Sequence, residues 1–475
     1  MKLFFRLLAF SFILLTISED AFSQSAIYAC GHIRRQRETA IDNLRNSGYN
    51  TAIIFNVNVE IDGSLTTDYT WSTQTAAEAG GVICYRGEYV FDEFQPHYID
   101  DVKAIITPPT SVERLEICIG GWGNGSYGNI NRLVETEGTG ENSILYKNFK
   151  ALKEALPDVV AVNNDTEQDY YVDSAVKFHK MLYELGFKTT IAPYTMRDYW
   201  QRLVAGLHEE YPGACDRVYL QTYGGGAMNN PANWMIFGDI PMYVGFDCEA
   251  NANRTAMNTS MTRWAKTEGV VGGFLWNYNS EARNHNEWAA NINRIFSDIT
   301  VEKPAATFYG DAGFKGYAVE LGEGTYRQSD MARHGIAAKD ISSFEVKGGY
   351  KLTLYKNNDL TGDSETWTAS AETLDKEWDN MACSLKIEYT GEEEDENAGT
   401  GEIEAAEKIF VTVTPEGVKV TGTVPGETIR LYNIDGQKTM EKESTSGETL
   451  LPVTSLPSGL YILTLSDRPL KIFIR

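Results

Sequence analysis

From residue 25 to about residue 296, apolar runs rich in Val, Ile and Ala alternate with segments whose apolar positions recur every three to four residues. Runs of the first kind read as strands buried on both faces, as in a parallel sheet. The second kind read as helices packed by one face. Strand-like runs fall at residues 26–32, 51–59, 114–120, 159–167, 189–193, 217–223, 241–246 and 270–276. Helical patterns lie between most of them. Residues 36–46 place Ala40, Ile41 and Leu44 on one face and stop at Gly48, and residues 173–185 stop at Gly186. Eight such strands over about 270 residues predict an α/β chain with a (β/α)8 TIM barrel. Its span is 25–298, and the uneven stretch 62–112 has room for an extra hairpin or loop besides a helix.

In such a barrel, chemistry gathers at the carboxyl ends of the strands. Those ends carry Asn56 and Asn58, Gly121 and Trp122, Asp165 and Glu167, Tyr194, Gln221 and Tyr223, Asp247 and Glu249, and Trp276 and Asn277. The set holds acids, amides and aromatics but no Lys or Arg. It suits a neutral polyhydroxylated ligand, because a phosphate or carboxylate would call for basic partners. A formal charge of −24 points the same way and excludes nucleic acid or an anionic membrane as partner. Side chains alternate along a strand, so Asn163, Asp165 and Glu167 share one face while Asn164 and Thr166 take the other. Two neighbouring carboxylates do not both ionise cheaply, so one is expected to hold a proton near neutral pH, as a general acid must.

Four motifs on these strand ends resemble glycoside hydrolase family 18, the chitinases and endo-β-N-acetylglucosaminidases. They are Ile119-Gly120-Gly121-Trp122-Gly123 on the third strand and Asp165 and Glu167 of a DxxDxDxE pattern on the fourth. Gln221-Thr222-Tyr223 follows on the sixth, and Gly273-Phe274-Leu275-Trp276 on the eighth. The resemblance implies substrate-assisted retention, in which Glu167 is the acid and base, Asp165 orients the substrate's 2-acetamido group, and Tyr223 hydrogen-bonds its carbonyl. It also implies sugar contacts from Asn163, Gln221, Trp276, Trp122, Tyr194, Asn277 and Gly121. No cofactor is required.

Three positions depart from the pattern: Val160 and Asn163 stand where the motif has acids, and Gly224 where Asp is common. Val160 reads as a core exchange. Asn163 can only hydrogen-bond, which leaves Asp165 nearer an ordinary carboxylate pKa. The reading is a glycosidase that cuts GlcNAc-containing oligosaccharides or glycoproteins. The alternative is a weak or inactive barrel that binds carbohydrate, and a structural adhesin is a third class. Only twenty-odd residues separate Asp247 from Val270, about one helix at ~1.5 Å rise per residue. That short connection predicts an open cleft and endo-type cleavage.

Outside the barrel, Lys2 and Arg6 precede an apolar run ending near Ile17, and Ala21-Phe22-Ser23 offers a cleavage site. Residues 1–23 therefore read as a signal peptide, and the mature chain as secreted or at the cell surface, with no transmembrane segment. Six cysteines without paired spacing read as buried thiols. Past Pro304 the pattern turns to short strands. Tyr309-x4-Phe314-x-Gly316 recurs as Tyr355-x4-Leu360-x-Gly362, each copy followed by a serine stretch. This repeat resembles a βγ-crystallin double Greek key over residues 305–390, a family that can bind calcium. Asp379-Asn380 fits one such Ca2+ site, whereas Ala338-Lys339 does not. Residues 391–408 form an acidic linker, and 409–475 a strand-rich, Ig-like β-sandwich tail. Its segments Leu431-Tyr432-Asn433-Ile434-Asp435-Gly436-Gln437 and Leu456-Pro457-Ser458-Gly459-Leu460-Tyr461 resemble C-terminal sorting domains of type IX secretion in Bacteroidetes. That implies the secretion machinery as a partner. Oligomeric state is not legible.

Overall fold

Strand β1 (Ser25–Ala29) pairs in parallel with both β2 (Thr51–Val59) and β11 (Val270–Tyr278), and those two pairings close a ring. The computed structural model describes residues 24–29, 37–68, 80–278, 285–297 and 301–391. In the tail it describes 410–414, 417–421, 423, 425–433, 437–445, 447–453, 456, 459–465 and 468–474. The expected signal peptide, all of the linker beyond Gly391, Cys30 and residues 434–436 of the tail lie outside them.

In chain order the first unit runs through helix α1 (Arg37–Arg45) after β1, then β2, β3 (Leu65–Asp68), β4 (Gly80–Tyr85), β5 (Glu88–Tyr89) and α2 (Tyr98–Ile106). Strand β6 (Arg114–Gly120) leads to α3 (Ser126–Glu137) and α4 (Ile144–Ala155). After these come β7 (Val159–Asp165), α5 (Val172–Glu184), β8 (Lys188–Ile191), α6 (Arg197–His208), β9 (Cys215–Leu220), β10 (Met242–Asp247) and α7 (Arg254–Trp264). Strand β11 and α8 (His285–Phe296) complete it. Eight strands, in the order β1-β11-β10-β9-β8-β7-β6-β2, form a closed parallel barrel. The excursion β3-β4-β5 is the extra hairpin expected between residues 62 and 112. The connection from β9 to β10 carries only the 3-10 turns Gly224–Gly226 and Pro231–Trp234 and no α-helix, a departure from a full (β/α)8 alternation.

Two apolar layers explain the strand sequences. Ala26, Tyr28, Ile53, Phe55, Cys118, Ala192, Tyr219, Tyr243 and Phe274 fill the barrel, while alternate residues of the same strands pack outward on the helices. Both faces are dry, which is why these strands read as continuous apolar runs. Val160 breaks the expectation of a core exchange: it is 37% exposed at the lower end of β7. The amino-terminal floor is polar and sealed. Glu116 is fully buried, accepts from Arg114 Nε at 2.6 Å, Thr190 Oγ1 at 2.6 Å and Tyr219 Oη at 2.9 Å, and Arg114 also clasps Asp216. A buried carboxylate is tolerable only with such partners.

Strands β12 (Ala306–Asp311), β13 (Lys315–Leu321), β14 (Gly324–Tyr326), helix α9 (Gln328–Arg333), β15 (Ser343–Val346), β16 (Tyr350–Tyr355), β17 (Ser364–Trp367) and β18 (Ser384–Tyr389) follow. They form sheets β13-β12-β15 and β14-β18-β16-β17 over one core that includes Phe308, Phe344, Leu352, Trp378 and Leu385. The sequence repeat has a hydrogen-bond counterpart. Ser343 Oγ donates to Asp311 O at 2.7 Å and accepts from Phe314 N, and Ser384 Oγ donates to Asn357 O at 2.7 Å and accepts from Leu360 N. This module is fastened to the barrel. Asn293 Nδ2 donates to Gly48 O and Ala332 O at 2.9 Å each, and the Arg294 guanidinium lies 4.1 Å from the Tyr317 ring centre.

The tail is a separate compact unit of residues 395–475. Strands β19 (Phe410–Thr414), β20 (Gly417–Thr421), β21 (Thr428–Asn433), β22 (Lys438–Glu443), β23 (Glu448–Leu451), β24 (Gly459–Leu465) and β25 (Arg468–Ile474) make sheets β19-β20-β23 and β22-β21-β24-β25. Val418, Val420, Ile429, Leu431, Leu451, Tyr461 and Leu463 pack between them. Among the described residues, no helix is long and apolar enough to cross a membrane.

Candidate active site

Along β7 the inward and outward faces separate as alternation requires. Asn164 turns out to His179 on α5, and Thr166 to its own loop, where its hydroxyl donates to Asp169 O. His179 is wholly buried between Tyr127, Asn164 and Thr189, and burial lowers its pKa to about 3, so it stays neutral and structural. Asn163 and Asp165 turn into the barrel. Glu167 lies beyond the strand, which ends at Asp165, rather than on it as the apolar run implied.

Asp165 is 4% exposed. Gln221, just past β9, donates from Nε2 to Asp165 Oδ1 at 2.9 Å and to Ala192 O at 3.2 Å, and its amide also serves the half-buried Glu167. Burial is the main force on both acids and favours their neutral forms. Asp165 is pushed well above the usual carboxylate range, first by burial and then by the charge of Glu167. Glu167 is raised by burial against the opposing Gln221 hydrogen bond. The pair therefore holds a proton that isolated carboxylates would give up.

This corrects the expectation that Asn163 returns Asp165 to ordinary acidity. Asn163 is turned away: its Oδ1 accepts from the Tyr28 hydroxyl at 2.9 Å, and its Nδ2 donates to Thr190 Oγ1 at 2.9 Å. Burial first, and then the charge of Glu167, raise Asp165 without a second aspartate.

The Gly120-Gly121 pair at the end of β6 lets the chain approach this pair closely. A Cβ on Gly120 would sit 2.3 Å from Asp165 O, and one on Gly121 2.9 Å from the Phe55 ring. Both have φ above +100°, a region that L side chains rarely adopt. Gly121 N donates to Asp165 O at 2.7 Å. Phe55 in turn meets Trp276 edge-on with ring centres 4.9 Å apart, and Tyr28 lies 5.4 Å from the same indole. Tyr223 packs on Phe274 at 6.1 Å, and Gly245 leaves the space its ring occupies. Burial first, then the charges of Asp165 and Glu167, keep the Tyr223 phenol protonated far above its usual range. Tyr194 donates from its hydroxyl to the Glu167 carbonyl at 3.3 Å.

Asp165, Glu167, Gln221, Tyr194, Tyr223, Gly121 and Trp276 are thus drawn to one end of the barrel. Two expected contacts are not. Asn277 is buried on the face opposite Trp276 and donates to Glu249 Oε2 at 2.6 Å, which makes it a brace for the loop after β10. Asn163 is occupied within the barrel. Trp122 stands 66% exposed on the loop after β6. Sequence reasoning missed Tyr28 and Phe55, whose inward parity and position at strand ends were the available signal. It also missed Asn124, which hydrogen-bonds Asn58 and, through its carbonyl, Gln168. Asn56 donates to Asn58 Oδ1 at 2.7 Å, so the rim beside β2 is a row of carboxamides. Chemically, the site can lend a proton to a leaving oxygen and present a phenol and an amide to a neutral ligand.

No family model matches the chain. A development-specific protein S homolog from Myxococcus xanthus is 36% identical over 81 residues, which are 17% of this chain and 46% of that protein. The chain thus spans about half the length of the curated relative it matches. A βγ-crystallin domain from Flavobacterium johnsoniae is 25% identical and covered over 98% of its length, with 18% of this chain aligned and a TM-score of 0.18. A βγ-crystallin domain from Clostridium beijerinckii is 29% identical, with 98% and 18% covered and a TM-score of 0.18. Each of these similarities covers less than a fifth of the chain.

In the β12–β18 module the calcium candidates bond to each other and to a neighbouring serine. Asp379 Oδ1 accepts from Ser342 Oγ at 2.7 Å and Asn380 Nδ2 at 3.3 Å. One carboxylate and one amide face a cation that takes roughly six to eight oxygens. Ala338-Lys339 adds none, and among the described residues no group of three or more His, Cys, Asp or Glu could hold a metal. These side chains alone do not complete such a shell. Five of the cysteines, Cys84, Cys118, Cys215, Cys248 and Cys383, are buried free thiols.

Proposed function

We propose that the chain is an exported glycoside hydrolase of the family 18 kind, a (β/α)8 enzyme that cuts β-linked N-acetylglucosamine glycans internally. The observation that carries this reading is that Asp165 and Glu167, both pushed toward their neutral forms by burial and both served by Gln221, stand beside Tyr223 at the end of the barrel that Trp276 also occupies. An acetamido N–H presented to Asp165 favours its ionised form and leaves the shared proton on Glu167. Glu167 then gives that proton to the glycosidic oxygen as the C1–O bond breaks, and the acetamido oxygen bonds to C1 to form an oxazolinium ion. Asp165 balances its charge, and the Tyr223 hydroxyl donates to the acetamido oxygen. Water next attacks C1, its proton returns to Glu167, and the acetamido group is restored with retention.

The short connection between β10 and β11, a single helix, supports an open cleft and endo-type cutting. Residues 1–23 would direct export and residues 409–475 would serve as a sorting tail. Release of reducing sugar from chitooligosaccharides and from a high-mannose glycoprotein tests the reading. Turnover that falls roughly 10²–10⁴-fold in Glu167→Gln supports it. Glycan binding without turnover by the unaltered chain favours the second reading, a carbohydrate-binding barrel, which rests on Asn163 at an acidic motif position with both its polar ends already satisfied.

A further inference from the structure

Strand β10 delivers a third carboxylate to the same opening. Tyr243 belongs to the barrel's inner cluster. Gly245 follows on the same face, where a Cβ would come within 2.6 Å of Tyr223 Cε1 and 2.5 Å of Phe274 Cζ. The alternate residues Phe246 and Cys248 point outward, Phe246 against Trp288 at 6.1 Å and Cys248 into the outer core. Alternation therefore places Asp247 inward, one layer above Tyr223. Its register partner across the sheet is Trp276.

One oxygen of this carboxylate is fixed and the other is available. Oδ1 accepts the backbone N–H groups of Glu249 at 3.0 Å and Ala250 at 2.8 Å, so the loop after β10 holds the side chain in place. Oδ2 has no hydrogen-bond partner among the described residues, and the side chain is only half buried. A carboxylate that merely capped the turn would need one oxygen. The charge is also felt within the site, since Asp247 follows burial, Asp165 and Glu167 among the influences that keep the Tyr223 phenol protonated.

Resting on the hydrolase reading above, we infer that Asp247 is a substrate-positioning residue whose free oxygen accepts a hydroxyl of the sugar held over Trp276. A fixed anionic acceptor selects a ring with an unsubstituted hydroxyl at that position. It repels a ring carrying sulfate there, because two anions would meet at low dielectric. The substrate class is thereby narrowed to neutral, unsulfated N-acetylglucosamine units at this subsite.

The test is Asp247→Asn, which keeps the Oδ1 acceptor for the two backbone N–H groups while removing the charge. Kinetics are measured on an N-acetylglucosamine oligosaccharide and on its 6-O-sulfated form. KM for the neutral substrate is expected to rise roughly tenfold or more, the worth of one hydrogen bond to a charged acceptor. kcat should stay within a few fold, and the preference for neutral over sulfated substrate should narrow. Unchanged KM and unchanged preference, with the variant melting at the wild-type temperature, overturn the inference and leave the hydrolase reading standing. Should the variant melt early, Asp247→Ser replaces it, because its hydroxyl oxygen can still accept from the turn N–H groups but carries no charge, and unaltered KM and preference there overturn the inference too. If unaltered protein neither cuts nor binds either sugar, by turnover and by calorimetry, the hydrolase reading falls and this one with it.

Discussion

The Tyr28 hydroxyl donates to Asn163 Oδ1 across 2.9 Å of barrel interior, and Asn163 Nδ2 passes the chain on to Thr190, whose hydroxyl donates to Glu116. Every link has its donor and acceptor roles assigned. Asn163→Asp would remove the one donor Thr190 accepts from and place an anion in a dry site. The variant is expected to lose about 1–3 kcal/mol of stability at neutral pH. The loss should shrink in acid, where a protonated carboxyl can donate to Thr190 again. Denaturant melts at pH 7 and pH 4.5 check the sign, and an equal loss at both counts against the network.

Asp165 and Glu167 hold protons more tightly in the folded chain than in the unfolded one, Asp165 through burial and the Glu167 charge, Glu167 through burial. Such groups favour folding most in acid, below the ordinary carboxylate range, and that benefit drains away as pH rises through their raised values. Asp165→Asn keeps an acceptor for Gln221 and abolishes the cost of ionising there. Its melting temperature should exceed the wild-type value at pH 8 and approach it near pH 4. A gain of equal size at both pH values would contradict the assigned burial effect.

Gly245 makes room for two rings, and its φ imposes no demand of its own. Gly245→Ala therefore acts through space: Tyr223 or Phe274 must give way to a methyl 2.5–2.6 Å from them. Overpacking of this kind costs about 1–3 kcal/mol, and displacing the Tyr223 hydroxyl should lower kcat more than it raises KM. Steady-state kinetics on a glycan substrate with a thermal melt distinguish the two effects. Wild-type kcat with a lowered melting temperature would mean that Phe274 yields instead and the Tyr223 hydroxyl keeps its place, against the expected loss of turnover.

Much of the barrel was legible because its strands are dry on both faces. The runs at 51–59 and 114–120 coincide with β2 and β6 to the residue. The run ending at Glu167 overshot β7 by two residues, since apolar pattern does not register where backbone pairing stops; Asp165 still has Gly120 as partner and nothing pairs beyond it. Asn277 was assigned to the site although alternation alone puts it opposite Trp276. The fate of Asn163 was hidden for a different reason. Whether it touched Asp165 or turned away depended on Tyr28, more than a hundred residues distant, reaching it across the barrel. Likewise, the raised pKa values of the two acids come mainly from desolvation, a property of the assembled ring rather than of any local motif.

The sealed floor around Glu116, Arg114 and Tyr219 gives the barrel a single doorway. A glycan lying across that doorway in the open cleft proposed above would leave one fragment on either side after a mid-chain cut, each free to depart. An oligosaccharide trimmed from a bulky carrier would then depart at a pace set by how firmly the indole of Trp276 grips it, so that weakening this grip speeds repeated cycles even as it loosens capture.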